Sequence, residues 1–114
     1  MLDFEKESSG DVLIERVNLT RATTAEAGII KKRLLEDIHV SKKKIIVDMS
    51  KCLFIDEIFL GALVVSFRRS REAGGKIKVV ITPKVVEKTP TITGFLKVVE
   101  SYSSVEAAIQ SFRS

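Results

Sequence analysis

The chain has 114 residues, 45% of them hydrophobic and 30% charged, a balance that suits one domain (residues 1–114) with a packed core and argues against disorder. A formal charge of +4 raises the question of nucleic acid. One cysteine and one histidine exclude an internal disulfide and leave too few ligands for a zinc site or a histidine-based cluster.

The amino terminus, Met1-Leu2-Asp3-Phe4-Glu5-Lys6, lacks the basic-then-apolar order of a secretory signal, so a cytoplasmic protein is expected. Asp11 to Val17 is apolar and β-branched and follows the turn signal Ser8-Ser9-Gly10-Asp11. It reads as a strand, with Leu2 to Lys6 as its hairpin partner. From Thr23 to Ile38 the period becomes helical, with Ala27, Ile30, Leu34 and Ile38 on one face. Thr23 or Thr24 is the expected N-cap, Glu26 completes a capping box from Thr23, and Gly28 is expected to mark close packing.

Ile45-Ile46-Val47 is a short apolar run of the kind buried on both faces of a sheet. Asp56 opens a second helix carrying Leu60, Leu63, Val64 and Phe67, followed by Arg68, Arg69 and Arg71 and stopped by Gly74-Gly75. The uncharged run inside it, Ile58 to Phe67, is about half the length a membrane-spanning helix needs, so no membrane insertion is expected. Ile77 to Ile81 predicts a strand, Pro83 to Lys88 a short helix stopped by Pro90, and Lys97 to Val99 a brief strand. A closing helix from Ser103 or Ser104 turns Val105, Ala108, Ile109 and Phe112 inward, with Glu106 at the capping-box position. Alternating strands and helices give an α/β fold: a mixed, mostly parallel sheet with about four helices packed on it.

The basic clusters Lys31-Lys32-Arg33, Lys42-Lys43-Lys44 and Arg68-Arg69 with Arg71 lack the interleaved aromatic residues that base stacking requires. There is no tryptophan, one tyrosine, and most of the six phenylalanines lie in apolar segments, so a solvated mixed-charge surface is expected rather than a nucleic-acid interface.

Residues 45–63 read IIVDMSKCLFIDEIFLGAL. Val47-Asp48-Met49-Ser50, Phe54-Ile55-Asp56 and Leu60-Gly61-Ala62-Leu63 resemble, in order and spacing, the central signature of the STAS domain of bacterial anti-sigma factor antagonists. That signature is an apolar strand, Asp-Leu-Ser, then an aspartate followed by Ser-Ser/Thr-Gly-Leu-Gly opening a helix. Further resemblances follow at Arg71-Glu72-Ala73-Gly74-Gly75-Lys76, Thr93-Gly94-Phe95 and Ser104-Val105-Glu106-Ala107-Ala108, so nearly the whole chain is covered. The resemblance implies a STAS-type fold and a protein–protein interaction module without catalysis or cofactor. Its expected partner is an anti-sigma factor that is also a serine kinase and phosphorylates the first hydroxyl after the aspartate. A phosphate there lies at a helix N-terminus, which tolerates it, yet brings nearly two negative charges into the docking surface.

This sequence departs from the pattern at that point. The first hydroxyl position is Glu57, the second is Ile58, and the glycine that follows is Phe59, so the usual switch is expected to be absent. Three readings stand open. Glu57 imitates the phosphorylated state with about half its charge; Ile58 and Phe59 form a rebuilt apolar contact; or Asp56 merely caps the helix while Glu57 favours its positive end and Ile58 or Phe59 packs inward. The Gly-x-Leu-Asp that family members often carry before the first helix is replaced by Val17-Asn18-Leu19-Thr20. The expected partner surface is Thr20, Thr23 and Thr24 with Asp56, Glu57, Ile58 and Phe59, and Glu57→Lys or Phe59→Asp is expected to weaken binding in a folded domain. A homodimer through Ile58 and Phe59 is left open, as are substitute phosphosites at Thr23, Thr24, Thr89 or Thr91. The alternative is a ligand or nucleotide sensor or a subunit of a transport-associated complex, although no glycine-rich phosphate loop is visible. Cys52 reads as buried and inert, Ser66 has no histidine to activate it, and His39 suits the end of the first helix.

Overall fold

The computed structural model describes residues 2–114. The largely polar run at Phe4–Ser9 (β1) and the mainly apolar run at Val12–Val17 (β2) form an antiparallel hairpin. It turns through Gly10, whose φ of +60° is the left-handed conformation that glycine adopts most easily. A two-residue strand at Arg21–Ala22 (β3) leads into Thr24–His39 (α1). Then come Lys44–Asp48 (β4), the two-residue Phe54–Ile55 (β5), Glu57–Glu72 (α2) and Lys76–Val80 (β6). Two short helices at Pro83–Lys88 (α3) and Ile92–Leu96 (α4), a two-residue strand at Ser101–Tyr102 (β7) and Val105–Arg113 (α5) complete the chain.

The main sheet runs in the order β1-β2-β4-β6-β7, parallel throughout except for β1 at its edge. Strand alternation divides its two faces. Ile45 and Val47 of β4 and Ile77 and Val79 of β6 join Ile30 and Leu34 of α1 and Leu60 and Leu63 of α2 in the main core, which Val85, Ile92 and Phe95 extend beneath α3 and α4. Ile46 and Val80 face the opposite way, with Val12 and Ile14, and are covered by α5 alone through Ala108, Ile109 and Phe112. This is the expected mixed, mostly parallel α/β architecture.

Several local expectations need correction. The described residues form five helices where about four were expected, because the chain beyond Pro90 resumes a helical turn at α4 that buries Ile92 and Phe95. Lys97–Val99 is the turn that closes α4, where Val98 and Val99 donate their N–H groups to the Phe95 carbonyl; the last strand lies later, at β7. Gly28 does not mark close packing, since a side chain there would meet nothing within 4 Å. Gly75 is the tight position: a Cβ would come within 2.7 Å of the Lys43 carbonyl oxygen. At α5 the cap is Ser104, whose hydroxyl accepts from the Ala107 N–H at 3.1 Å, so Glu106 falls one residue short of the capping-box position.

Candidate functional site

The expected site is built by the two segments that run side by side into α1 and α2. The Thr20 carbonyl accepts from Leu53 N–H at 2.8 Å, and Asp56 N–H donates to the Ala22 carbonyl at 3.0 Å. Between these bonds β3 and β5 pair in parallel, and the Arg21 guanidinium stacks over the Phe54 ring at 4.4 Å. The segments that lead into α1 and α2 are thereby fixed side by side.

Asp56 joins the two helices directly. Its Oδ1 accepts from Phe59 N–H at 2.8 Å, which caps α2. Its Oδ2 accepts from the backbone N–H of Thr24 at 2.7 Å and from the Thr24 hydroxyl at 2.9 Å, in the first turn of α1. One carboxylate thus serves the positive ends of both helices. Partial burial pushes this carboxyl up, but the donors from Phe59, Thr24 and Ile58 outweigh it and hold the group below the usual carboxylate range. Thr23 caps α1 in the expected capping box, in which its N–H donates to Glu26 Oε1 at 2.9 Å and its side chain faces the Glu26 N–H; its hydroxyl also lies 3.1 Å from Glu26 Oε1.

With Asp56 fixed, the next three side chains have determined directions. Glu57 is exposed, and Ile58 is 57% exposed. Phe59 is wholly buried in the main core, so of the open readings it takes the inward-packing one and is corrected as a partner-binding or self-pairing residue. Phe59→Asp would bury a charge in the core rather than probe a surface. Two shallow grooves flank the ridge. One, of about 220 Å³, lies between α2 and α4 and includes Glu57, Gly61, Thr91 and Val98; the other, of about 270 Å³, lies between α1 and α2 and includes Gly28, Lys31, Ile58 and Val65. Sequence reasoning missed Arg21, which borders the site on β3, and the α4 wall of the first groove. Arg21 adjoins Thr20 in sequence and could have been taken with it, whereas the placement of Val98 depends on α4.

The hydroxyls considered as substitute phosphosites separate by exposure and bonding. Thr89 is buried, and its Oγ1 accepts from Ile55 N–H at 3.4 Å, so it is closed to a kinase. Thr23 and Thr24 are engaged with Glu26 and Asp56, whereas Thr91 is exposed on the rim of the α2–α4 groove. Cys52 is fully buried, and burial, with Asp48 nearby, pushes its thiol up to about 12. Ser66 is buried and donates to the Ala62 carbonyl at 2.9 Å. Among the described residues no group of three or more His, Cys, Asp or Glu is placed to hold a metal ion, and no helix is long and apolar enough to cross a membrane.

Comparison with known proteins agrees with this architecture. A search of curated protein sequences finds no significant match. An anti-sigma factor antagonist from Mycobacterium paratuberculosis superposes with a TM-score of 0.84 at 18% identity, over 97% of this chain and 93% of that one. A candidate anti-sigma factor antagonist from Thermotoga maritima gives 0.82 at 22% identity, over 97% and 95%. A serine-to-glutamate variant of RsbS from Moorella thermoacetica gives 0.78 at 18% identity, over 96% and 94%. At these identities the likeness is one of fold. The family model described as the STAS domain matches residues 4–108, nearly the full length, and the chain belongs to the STAS domain family.

Proposed function

We propose that this domain is an anti-sigma factor antagonist-like module of bacterial transcriptional regulation, cytoplasmic and without catalysis of its own. It docks through the Thr20–Thr24 loop and the start of α2 onto a kinase-like anti-sigma factor, without phosphorylation at the position that Glu57 occupies. The observation that carries this reading is the Asp56 carboxylate, which ties both helix starts together and leaves Glu57 and Ile58 as the outward residues of a rigid surface. The antagonists among its structural neighbours support the partner class, and the RsbS variant shows that its fold tolerates a glutamate in place of one serine.

The test is affinity capture from the native lysate with wild type, Glu57→Ser and Ile58→Asp as baits, read by mass spectrometry. The expected result is a kinase-like anti-sigma factor captured by wild type and lost with Ile58→Asp. Capture by Glu57→Ser alone would make the glutamate a standing off-signal, and capture by none of the baits would overturn the reading. A ligand-sensing role is the second reading, favoured by a groove of about 730 Å³ along α1 that includes Lys31, Leu35, His39 and Val40. Calorimetry with ATP and GTP tests it.

A further inference from the structure

Away from the α2 surface, the hairpin edge of the sheet covers a cluster of charges that the proposed docking role does not use. Glu15 on β2 points into the main-core side of the sheet, where it is 0% exposed, and Asp37 on α1 is 1% exposed beside it. Such burial is rare for carboxylates and is expensive unless every oxygen has a partner. Here two oxygens lack one: Glu15 Oε2 and Asp37 Oδ2 have no hydrogen-bond partner.

The groups facing the pair come from three elements. From α1, Arg33 donates through Nε to Glu15 Oε1 at 2.9 Å and approaches it again through Nη2 at 2.8 Å. From β1, Lys6 donates to Asp37 Oδ1 at 2.7 Å and lies 3.7 Å from Glu15 Oε2. From β4, the residue in register with Glu15 is the apolar Val47, which adds no charge. Two cations therefore bond Glu15 Oε1 and Asp37 Oδ1, while Asp37 Oδ2 has no hydrogen-bond donor and Glu15 Oε2 has only the Lys6 ammonium at 3.7 Å. Two carboxylates in one buried site do not both ionise readily, whereas a single proton between them satisfies both oxygens at once. Burial, with Asp37 next in weight and Arg33 opposing, raises Glu15 from 4.5 to about 7.

The strand beside this pair is β1, which reaches it through Lys6. It is the edge strand of the sheet, bonded to β2 alone, and its side chains are largely exposed. Lys6 is its one cation bound to the pair, with a side chain 43% exposed.

We propose that Glu15 and Asp37 share one proton in the folded domain and that the pair is a proton-linked latch for the edge strand β1. When the proton leaves for solvent, opening of β1 hydrates both carboxylates, so linkage favours the open form by up to roughly tenfold per pH unit between the open-state and closed-state titrations. The same change reaches the groove along α1, since Lys6 and Asp37 form part of its wall.

The test is a carbon-13 NMR titration of the side-chain carboxyls, run with amide hydrogen exchange of residues 4–9 corrected for intrinsic rate. The proteins are wild type, Glu15→Gln and Asp37→Asn. In wild type, one carboxyl of the pair titrates in the neutral range and β1 protection falls between about pH 5 and 7. In Glu15→Gln, a permanently neutral side chain of the same shape, protection stays flat with pH. If both wild-type carboxyls titrate below pH 5, no proton is shared and the proposal fails. Neutral-range titration with β1 protection independent of pH also overturns the latch. Asp37→Asn keeps the test open if Glu15→Gln does not fold, because it removes the other half of the pair.

Discussion

Asp56 Oδ2 accepts both donors of Thr24, across 32 positions of sequence, while its Oδ1 accepts from Phe59, so α1 and α2 start from the same carboxylate. Asp56→Ala should therefore remove caps from two helices at once and cost about 2 kcal/mol, twice a typical single cap. Asp56→Asn should cost less, because one amide oxygen still accepts while the amide nitrogen faces donors. Urea unfolding of the three proteins measures both effects, and equal losses in the two variants would contradict the double cap.

Glu57, Ile58 and Phe59 should behave as three different kinds of position despite being consecutive. Ile58→Asp and Glu57→Lys should leave the unfolding midpoint within about 0.5 kcal/mol of wild type, as exposed substitutions usually do. Each should weaken binding of a captured anti-sigma partner at least roughly tenfold, as expected when an interface anchor is lost. Phe59→Ala should instead cost about 3–5 kcal/mol through the cavity it leaves. Denaturation and binding measured side by side distinguish these outcomes.

The glycines offer a matched pair. Gly75→Ala places a methyl 2.7 Å from the Lys43 carbonyl and 2.9 Å from Ser70 Oγ, so the strand entry must shift, at about 1–3 kcal/mol. Gly28→Ala meets nothing within 4 Å in mid-helix and should stabilise the domain by about 0.5–1 kcal/mol. Thermal unfolding should therefore move in opposite directions for the two variants.

Stability should pass through a maximum on the mildly acid side. The Lys76 ammonium beside Glu100, with Lys78 and Tyr102 and against partial burial, holds that carboxyl down at about 2. Its contribution is present above about 4.5 and lost as pH falls toward 2, and the depressed Asp56 adds in the same direction. Glu15 acts oppositely, because its raised carboxyl favours folding below 4.5 and loses that advantage as pH rises to about 7. Unfolding free energy measured from pH 2 to 8 should rise, peak near pH 5 and decline. Glu100→Gln should shallow only the acid limb, and modestly, since the Glu100 side chain is 44% exposed and its ion pairs are screened.

The long elements were legible because their periodicity coincides with their burial. Ala27, Ile30 and Leu34 recur at helical spacing and all enter the main core, and Ile45, Ile46 and Val47 are apolar on consecutive positions because both sheet faces are covered. The short elements were not. Arg21–Ala22 and Phe54–Ile55 become strands only because the loops before α1 and α2 meet, and two residues carry no period of their own. Likewise Lys97–Val99 is β-branched enough to imitate a strand, but Phe95 anchors it as a helix end. In the site, the cap at Asp56 followed from its place before a helix, whereas its second set of bonds to Thr24 depends on tertiary placement. The direction of Phe59 was the hidden variable. An aromatic residue at the third position of a helix faces core or solvent according to how the cap rotates the first turn, and the Asp56 bond turns Phe59 inward.

The strand order also constrains how copies of this domain can meet. Its main sheet ends on one side in β1, whose central residues are Glu5, Lys6 and Glu7, and on the other in a strand of only two residues, Ser101–Tyr102. A charged margin and a stub are both poor templates for another chain's backbone. Growth by strand addition, the usual route from an open sheet to a ribbon-like aggregate, is thus blocked at both ends, and self-association is left to the helical faces.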